Sequence, residues 1–401
     1  MRTMKDSGIP WIGEIPEGWK VCKTKDVFVR KNEKAHQANP IVLSLARAGV
    51  KVRDITKNEG QLAESYYDYN PVEPFDLLLN PMDLYSGANC SISLVRGVIS
   101  PAYVNLKAKA NACPRFYDYY YKTQYWSMAF FAHGKGISFD NRWTLGMDTL
   151  FRYNVPLPPL AEQQRIAEFL DRKCAEVDEM IALQEQIIEE LKAYKQSVIT
   201  EAVTKGLNPA APMRDSGIDW IGLIPENWEV ARLKFYASID SGDAISNEQI
   251  DIDGEYPVFG GGEIMGYYSQ YNTDEDKLII GRVGARCGCV TMPKQKCWAS
   301  DNALVLRSCL SLKYTYHLLQ AINLNRLNTS NAQPLITATK VKNVFIPLTP
   351  PTEQQAIADY LDEKCADIDS LIQTKLSKID SLKEYKKSII YEYVTGKREV
   401  E

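Results

Sequence analysis

The chain of 401 residues lacks several things that would each point to a particular kind of protein. No apolar run approaches the roughly 18 residues that cross a bilayer, and the opening MRTMKDSGIPW has no apolar segment of the kind a secretion signal needs. There is no GxxxxGK[ST] cradle for nucleotide phosphates, and Gly134-Lys135-Gly136 lacks the upstream spacing. Histidine is scarce: His36, His133 and His317 are scattered, with no nucleophile paired to any of them. Nine cysteines, an odd number without framework spacing, suggest reduced thiols and a cytoplasmic location. Cys287, Cys289, Cys297 and Cys309 cluster, but CxC followed by gaps of seven and eleven residues is not a finger spacing. Buried strand positions are the expected reading, and no metal site is assigned. Two further segments fall short of cofactor motifs. NPMD at Asn80 has Met82 and Asp83 where an amino-methyltransferase (N/D)PP(Y/F) motif needs proline and an aromatic. LIIGRVGARCG has no strand-turn-helix context, so its glycines are read as turn residues.

A strong charge of one sign is missing too. The net charge is −4, and 45% hydrophobic with 24% charged residues is ordinary for a globular protein. Residues 1–155 carry 20 Lys and Arg against 15 Asp and Glu, and residues 209–346 carry 13 against 15. Residues 156–208 carry 6 against 10 and residues 347–401 carry 8 against 11, so acid is concentrated in those two stretches. Neither globular stretch has the footprint of a strongly basic nucleic-acid binder.

What the chain does have is duplication. PLPPLAEQQRIAEFLDRKCAEVDEM, from Pro156, returns as PLTPPTEQQAIADYLDEKCADIDSL, from Pro347, at an offset of 191 residues. Apolar positions follow a seven-residue period in both copies, the signature of a seam between paired helices. The seam residues are Leu170, Val177, Ile181, Ile188 and Leu191 in the first copy and Leu361, Ile368, Ile372, Ile379 and Leu382 in the second. A helix of about 40 residues is roughly 60 Å long and alone leaves its apolar stripe in water. The simplest partner of each copy is the other, and antiparallel pairing puts one globule at each end. A second duplication, MKDSGIPWIGEIPEGWKV (Met4 to Val21) and MRDSGIDWIGLIPENWEV (Met213 to Val230), has thirteen of eighteen positions identical. Its tryptophans, Trp11, Trp19, Trp220 and Trp228, sit among Gly and Pro, which predicts a compact packed loop rather than a helix or strand.

The resulting order is motif, variable region, long helix, twice over, so the chain is two copies of one unit. The variable regions, about 22–155 and 231–346, do not align with each other. Each reads as a mixed α and β globule of short strands broken by turns, with one amphipathic helix in PRFYDYYYKTQYWSMAFFAHG and one in KYTYHLLQAINLNRL. Proline stops then lead into each long helix. The fold class expected is α+β: two mixed α/β domains separated by two long antiparallel coiled-coil helices, a pseudo two-fold internal repeat. The boundaries are 1–155, 156–208, 209–346 and 347–401.

With the duplicated WIGEIPEGW and WIGLIPENW segments, the PLPPLAEQQRIAEFLD and PLTPPTEQQAIADYLD helix starts, and FDNRWTLGMDTL before the first of these, the chain resembles the specificity subunit of type I restriction-modification systems over essentially its whole length. The resemblance implies two target recognition domains, each reading one half of a bipartite DNA sequence. It also implies double-stranded DNA, two modification subunits and restriction subunits as partners, without a membrane. S-adenosylmethionine, ATP and Mg are expected on those partners and none on this chain, which is not itself an enzyme. A stand-alone DNA methyltransferase and a coiled-coil scaffold without a DNA role are the alternatives. The missing motifs weigh against the first.

DNA contacts must then come from cations, amides and aromatics on loops. The candidates are Asn80, Tyr85, Arg96, Tyr103, Arg142 and Trp143 in the first globule. In the second they are Arg282, Arg286, Lys294, Lys296, Asn302 and Lys340. Nothing in their spacing separates base readers from phosphate contacts.

Overall fold

The computed structural model describes residues 2–56, 63–82, 84, 89–136, 143–328 and 334–400. Both seven-residue patterns become uninterrupted α-helices, Leu160–Lys205 of 46 residues and Pro351–Val394 of 44. The prolines that precede or open each helix need no partner for an amide hydrogen they lack. Each helix is followed by a glycine with left-handed backbone, Gly206 and Gly396, both at φ 73°. No helix among the described residues is long and apolar enough to cross a membrane.

The chain divides into two compact units, Met1–Leu183 with Lys378–Glu401, and Gln184–Ser377, so each unit holds part of both long helices. In the first unit Phe169 packs on Tyr393 with ring centroids 4.4 Å apart, and the Lys386 ammonium donates to both Asp178 oxygens at 2.7 and 2.6 Å. In the second, Lys195 donates to both Asp369 oxygens at 2.7 Å, and Ala202 and Val203 share a core with Ile357 and Ala358. Later residues of one helix meet earlier residues of the other, so the pairing is antiparallel in each unit. Asp178 and Lys195 are 191 residues from Asp369 and Lys386, so one ion pair is the repeat image of the other. Exposed pairs of this kind stabilise by about 0–1 kcal/mol. Six of the ten seam residues are buried, and Ile181, Leu191, Ile372 and Leu382 are half-buried.

The two variable regions, which do not align as sequence, share a topology. The first has a four-stranded antiparallel sheet in the order Phe28–Lys31, Val104–Ala108, Leu77–Leu79, Cys90–Ile92. The second has the same order in Ala237–Ser241, Ala303–Ser308, Leu278–Gly281, Val290–Thr291. One helix covers each sheet, Pro114–Trp126 and Leu312–Ile322. The unbroken apolar runs LLL and LIIG follow from burial of both sheet faces, because side chains alternate along a strand. Leu77 and Leu79 enter the main core while Leu78 joins a small second cluster with Leu43, Leu45, Val72 and Ile99. Leu278 and Ile280 divide from Ile279 in the same way, the latter packing with Phe259, Cys297, Ala299 and Ala303. Cys287 and Cys297 therefore belong to different cores, while Cys289 and Cys309 are exposed.

The tryptophan motifs differ from the loop expected of them. Each contains a short antiparallel strand pair, Met4–Asp6 with Glu14–Pro16 and Met213–Asp215 with Leu223–Pro225. Its Gly- and Pro-rich middle forms the turn, and the flanking residues satisfy each other's backbone groups. Trp19 and Trp228 are buried against the glycines that end the long helices: the rings lie 3.0 Å from a Cβ built on Gly396 and 3.2 Å from one on Gly206. Each motif clasps a helix end.

The Glu-Gln pairs at the helix starts also acquire a physical role. Gln163 is buried; its carbonyl oxygen accepts the amide hydrogen of Cys113, at the start of the Pro114–Trp126 helix, at 2.8 Å, and its amide donates to the carbonyls of Pro158 at 2.9 Å and Asn111 at 3.1 Å. Gln354 repeats the arrangement with Ser311 at 3.0 Å and Thr349 at 2.9 Å. In both copies one glutamine ties the globule's helix to the long helix, while its neighbours Gln164 and Gln355 are exposed.

Candidate nucleic-acid interface

In the second globule the strand Leu278–Gly281 runs into a loop built from close backbone contacts. A Cβ on Gly281 would lie 2.4 Å from the Gly261 carbonyl oxygen, one on Gly261 would lie 2.5 Å from that of Val283, and one on Gly288 would lie 2.5 Å from the Asn325 nitrogen. Only glycine permits these approaches, and the loops around residues 260–262, 281–289 and 324–325 become one platform. Arg282 sits on it with its N–H donating to the Asn302 carbonyl at 3.0 Å and its carbonyl accepting from Ile336 at 2.9 Å. Its guanidinium Nη1 reaches Asp301 O at 3.4 Å and Ser241 Oγ at 3.5 Å, while Nε is buried without a partner. Arg286, on the same loop, is exposed and ion-paired with Glu263. Lys340 spends its ammonium on the Leu327 carbonyl at 3.0 Å, and Asn302 is an exposed turn residue whose N–H donates to Ser300 Oγ at 3.2 Å.

The first globule assembles the corresponding place. Leu77–Leu79 leads into Asn80, whose N–H donates to the Asn89 carbonyl at 2.8 Å, and Leu145 donates to the Pro81 carbonyl at 2.8 Å. Leu145 and Ile336 are again 191 residues apart, so the loop after the central strand meets the segment before the next helix in the same way in both units. Asn80 is buried: its side-chain oxygen accepts from Met82 N at 3.0 Å and its backbone carbonyl from the Tyr125 hydroxyl at 2.6 Å. Trp143 is half-buried, donates from Nε1 to the Phe131 carbonyl at 2.8 Å and packs against Gly134. Tyr85 and Arg142 lie outside the described residues.

Six of the twelve candidates thus gather on equivalent loops, Asn80 and Trp143 in one globule and Arg282, Arg286, Asn302 and Lys340 in the other. Four lie elsewhere. Arg96 is on the turn at the opposite end of the Cys90–Ile92 strand, ion-paired with Glu73 at 2.8 Å. Tyr103 packs on the small second cluster. Lys294 and Lys296 lie between the strands Val290–Thr291 and Trp298–Ala299, Lys294 exposed and Lys296 donating to the Tyr271 hydroxyl at 2.9 Å over its ring, which holds its ammonium above the usual lysine value. Sequence reasoning passed over Lys135, exposed and paired through its backbone with Thr144, and Ser241 beside Arg282. The sequence signal beside them is glycine at a close backbone approach, Gly134 before Lys135 and Gly242 after Ser241.

Two divergent loop sets, each on a sheet of the same strand order and each latched to its own copy of the repeated helix start, define a protein that presents two different recognition surfaces. The sequence matches the type I restriction modification DNA specificity domain over residues 96–193 and again over 225–381. The chain belongs to that family of type I restriction-modification specificity subunits, and the two matched regions are its two specificity domains. It is 25% identical to the putative type I restriction enzyme MjaX specificity subunit of Methanocaldococcus jannaschii, over 96% of this chain and 95% of that one. To the EcoprrI specificity subunit of Escherichia coli it is 33% identical over 128 residues, 30% of this chain and 32% of that one. Among solved structures, a chain described under the complex assembly and conformational transition of the type I R-M system superposes with a TM-score of 0.71 at 18% identity, covering 95% of this chain and 98% of that one, and supports the fold.

Proposed function

We propose that this chain is the non-catalytic DNA-reading subunit of a type I restriction-modification complex. Each globule reads one half of a bipartite double-stranded target through its end loops, and the helix pair sets the spacer. The observation that carries this reading is the pairing of one repeated frame with two divergent loop platforms. The sheet order, the glutamine latch and the tryptophan clasp are kept in both units, while the loop sequences do not align. A protein selected for one chemistry would keep its loops; a protein that reads two different sequences varies them. On this reading two copies of a modification subunit dock on the repeated surfaces, restriction subunits join them, and S-adenosylmethionine, ATP and Mg are bound by those partners in the cytoplasm.

The test is methyl transfer from labelled S-adenosylmethionine to DNA. The chain alone is expected to transfer none, and the chain with its modification subunit to methylate a bipartite sequence. Transfer by the lone chain, or methylation without a bipartite preference, would overturn the proposal. Native mass spectrometry of the same complex should show two modification subunits per chain.

A further inference from the structure

We infer that Arg282 is a base-reading residue of the second globule and that its ligand is the major-groove edge of a guanine in the half-site read by residues 231–346. The inference rests on the DNA-reading role proposed above and narrows it to one side chain.

Of the cations on the platform, Arg286 is already neutralised by Glu263, the Lys340 ammonium is held by the Leu327 carbonyl, and the Arg326 guanidinium lies over the Trp220 ring. Away from the platform, Lys296 is held by Tyr271. Among the described residues the Arg282 guanidinium has no carboxylate partner; it rests only on the long contacts of Nη1 to Ser241 and Asp301. Its backbone, by contrast, is fixed on both sides. The N–H is bonded to Asn302, and the carbonyl accepts from Ile336 and, at 3.1 Å, from the Cys287 thiol. The residue before it is Gly281, at which any side chain would strike the Gly261 carbonyl.

This placement is costly for a residue that serves stability alone. A buried Nε without a partner is destabilising, and turning it inward leaves the Nη1 and Nη2 edge facing out. That edge is a planar fork of donors, and guanine is the base whose O6 and N7 offer two acceptors side by side in the major groove. A fork held on a rigid backbone loses little freedom on binding. Ser241 and Asn302 flank it with hydrogen-bonding side chains that a neighbouring base edge can use. At the equivalent place the first globule has Pro81, which has no side-chain donor, so this contact is specific to the second half-site.

The experiment uses the full chain with its modification subunit, a library of targets carrying every base at every position, and three variants, Arg282→Ala, Arg282→Lys and Arg282→Gln. Wild type should prefer guanine at one position of the second half-site. Arg282→Ala should lose about 5- to 150-fold of discrimination at that position alone, and Arg282→Lys, which keeps charge and stem but loses the planar fork, should lose part of it, since an ammonium can still donate to O6 or N7. Arg282→Gln should shift the preference there toward adenine, whose N6 and N7 suit an amide. Thermal unfolding of the three variants monitors folding, and Arg282→Lys and Arg282→Gln, which keep a polar side chain of similar reach, carry the test if alanine unfolds the platform. Uniform weakening on all sequences with a salt dependence reduced by about one charge would make Arg282 a phosphate contact and overturn the inference, as would an unchanged base preference. If wild type itself shows no bipartite preference, the underlying DNA-reading proposal fails instead, so the two failures are distinguishable.

Discussion

Replacing Gln163 by methionine tests whether the duplicated Glu-Gln pair is a latch. Methionine keeps the length and flexibility of the side chain and removes its hydrogen bonds, so packing is nearly conserved. Three bonds are lost, from the Cys113 amide and to the Pro158 and Asn111 carbonyls. Each is worth about 0.5–1.5 kcal/mol net, and a buried amide left unpaired, such as that of Cys113, costs about 1–3 kcal/mol. Allowing for partial relaxation, we expect a loss of about 2–4 kcal/mol from the first unit. At about 2–4 °C per kcal/mol for a domain of this size, its melting midpoint falls by roughly 5–15 °C. Gln354→Met should do the same in the second unit, somewhat more weakly because the Ser311 amide is only part-buried. The motif carries its own control: Gln164→Met and Gln355→Met, at exposed positions one residue on, should change stability by about 0.5 kcal/mol or less. Calorimetry of the four variants, with amide exchange at Cys113 and Ser311, measures both. Gln163→Met melting together with Gln164→Met would refute the latch.

Three further outcomes are expected. Inserting four residues after Gln184 lengthens the helix by about 6 Å and rotates the helix beyond the insertion by about 40°; methylation mapping should find a changed number of unread base pairs between unchanged half-sites, and an altered half-site sequence with an unaltered spacer would sink the ruler role. Exchanging residues 231–346 for another recognition domain should change one half-site and keep the spacer, and a change in both halves would count against independent reading. Burial holds the His317 imidazole below its ordinary value despite the Asp362 carboxylate 2.9 Å away and Gln320 beside it, with the Lys195 charge also lowering it. The unfolded chain therefore takes up the proton more readily, so the contribution of this group to the second unit is complete above about pH 6.5 and is lost as the pH falls below that value. Its melting midpoint should drop between pH 7.5 and 5.5 in wild type and less in His317→Gln; parallel curves would contradict the assignment.

Much of this architecture is legible in the sequence because it depends on period and repetition. Seven-residue spacing of Leu, Val and Ile fixes a helical seam whatever its partner, and the 191-residue offset makes two units of one kind. Prolines before Leu160 and at 351 mark the helix starts by backbone chemistry that needs no tertiary context. What only the tertiary structure decided depends on contacts between residues far apart in the chain. The sheet order common to both globules is invisible in sequences that do not align, because many apolar sets fill the same core. Gln163 and its exposed neighbour Gln164 read identically until the Cys113 amide, fifty residues earlier, is placed beside one of them. Arg282 and Arg286 are equal candidates by type and spacing. They separate only when Glu263 falls against one and Gly261, Asn302 and Ile336 close around the backbone of the other, since the charge a side chain has left to offer is set by what it already touches.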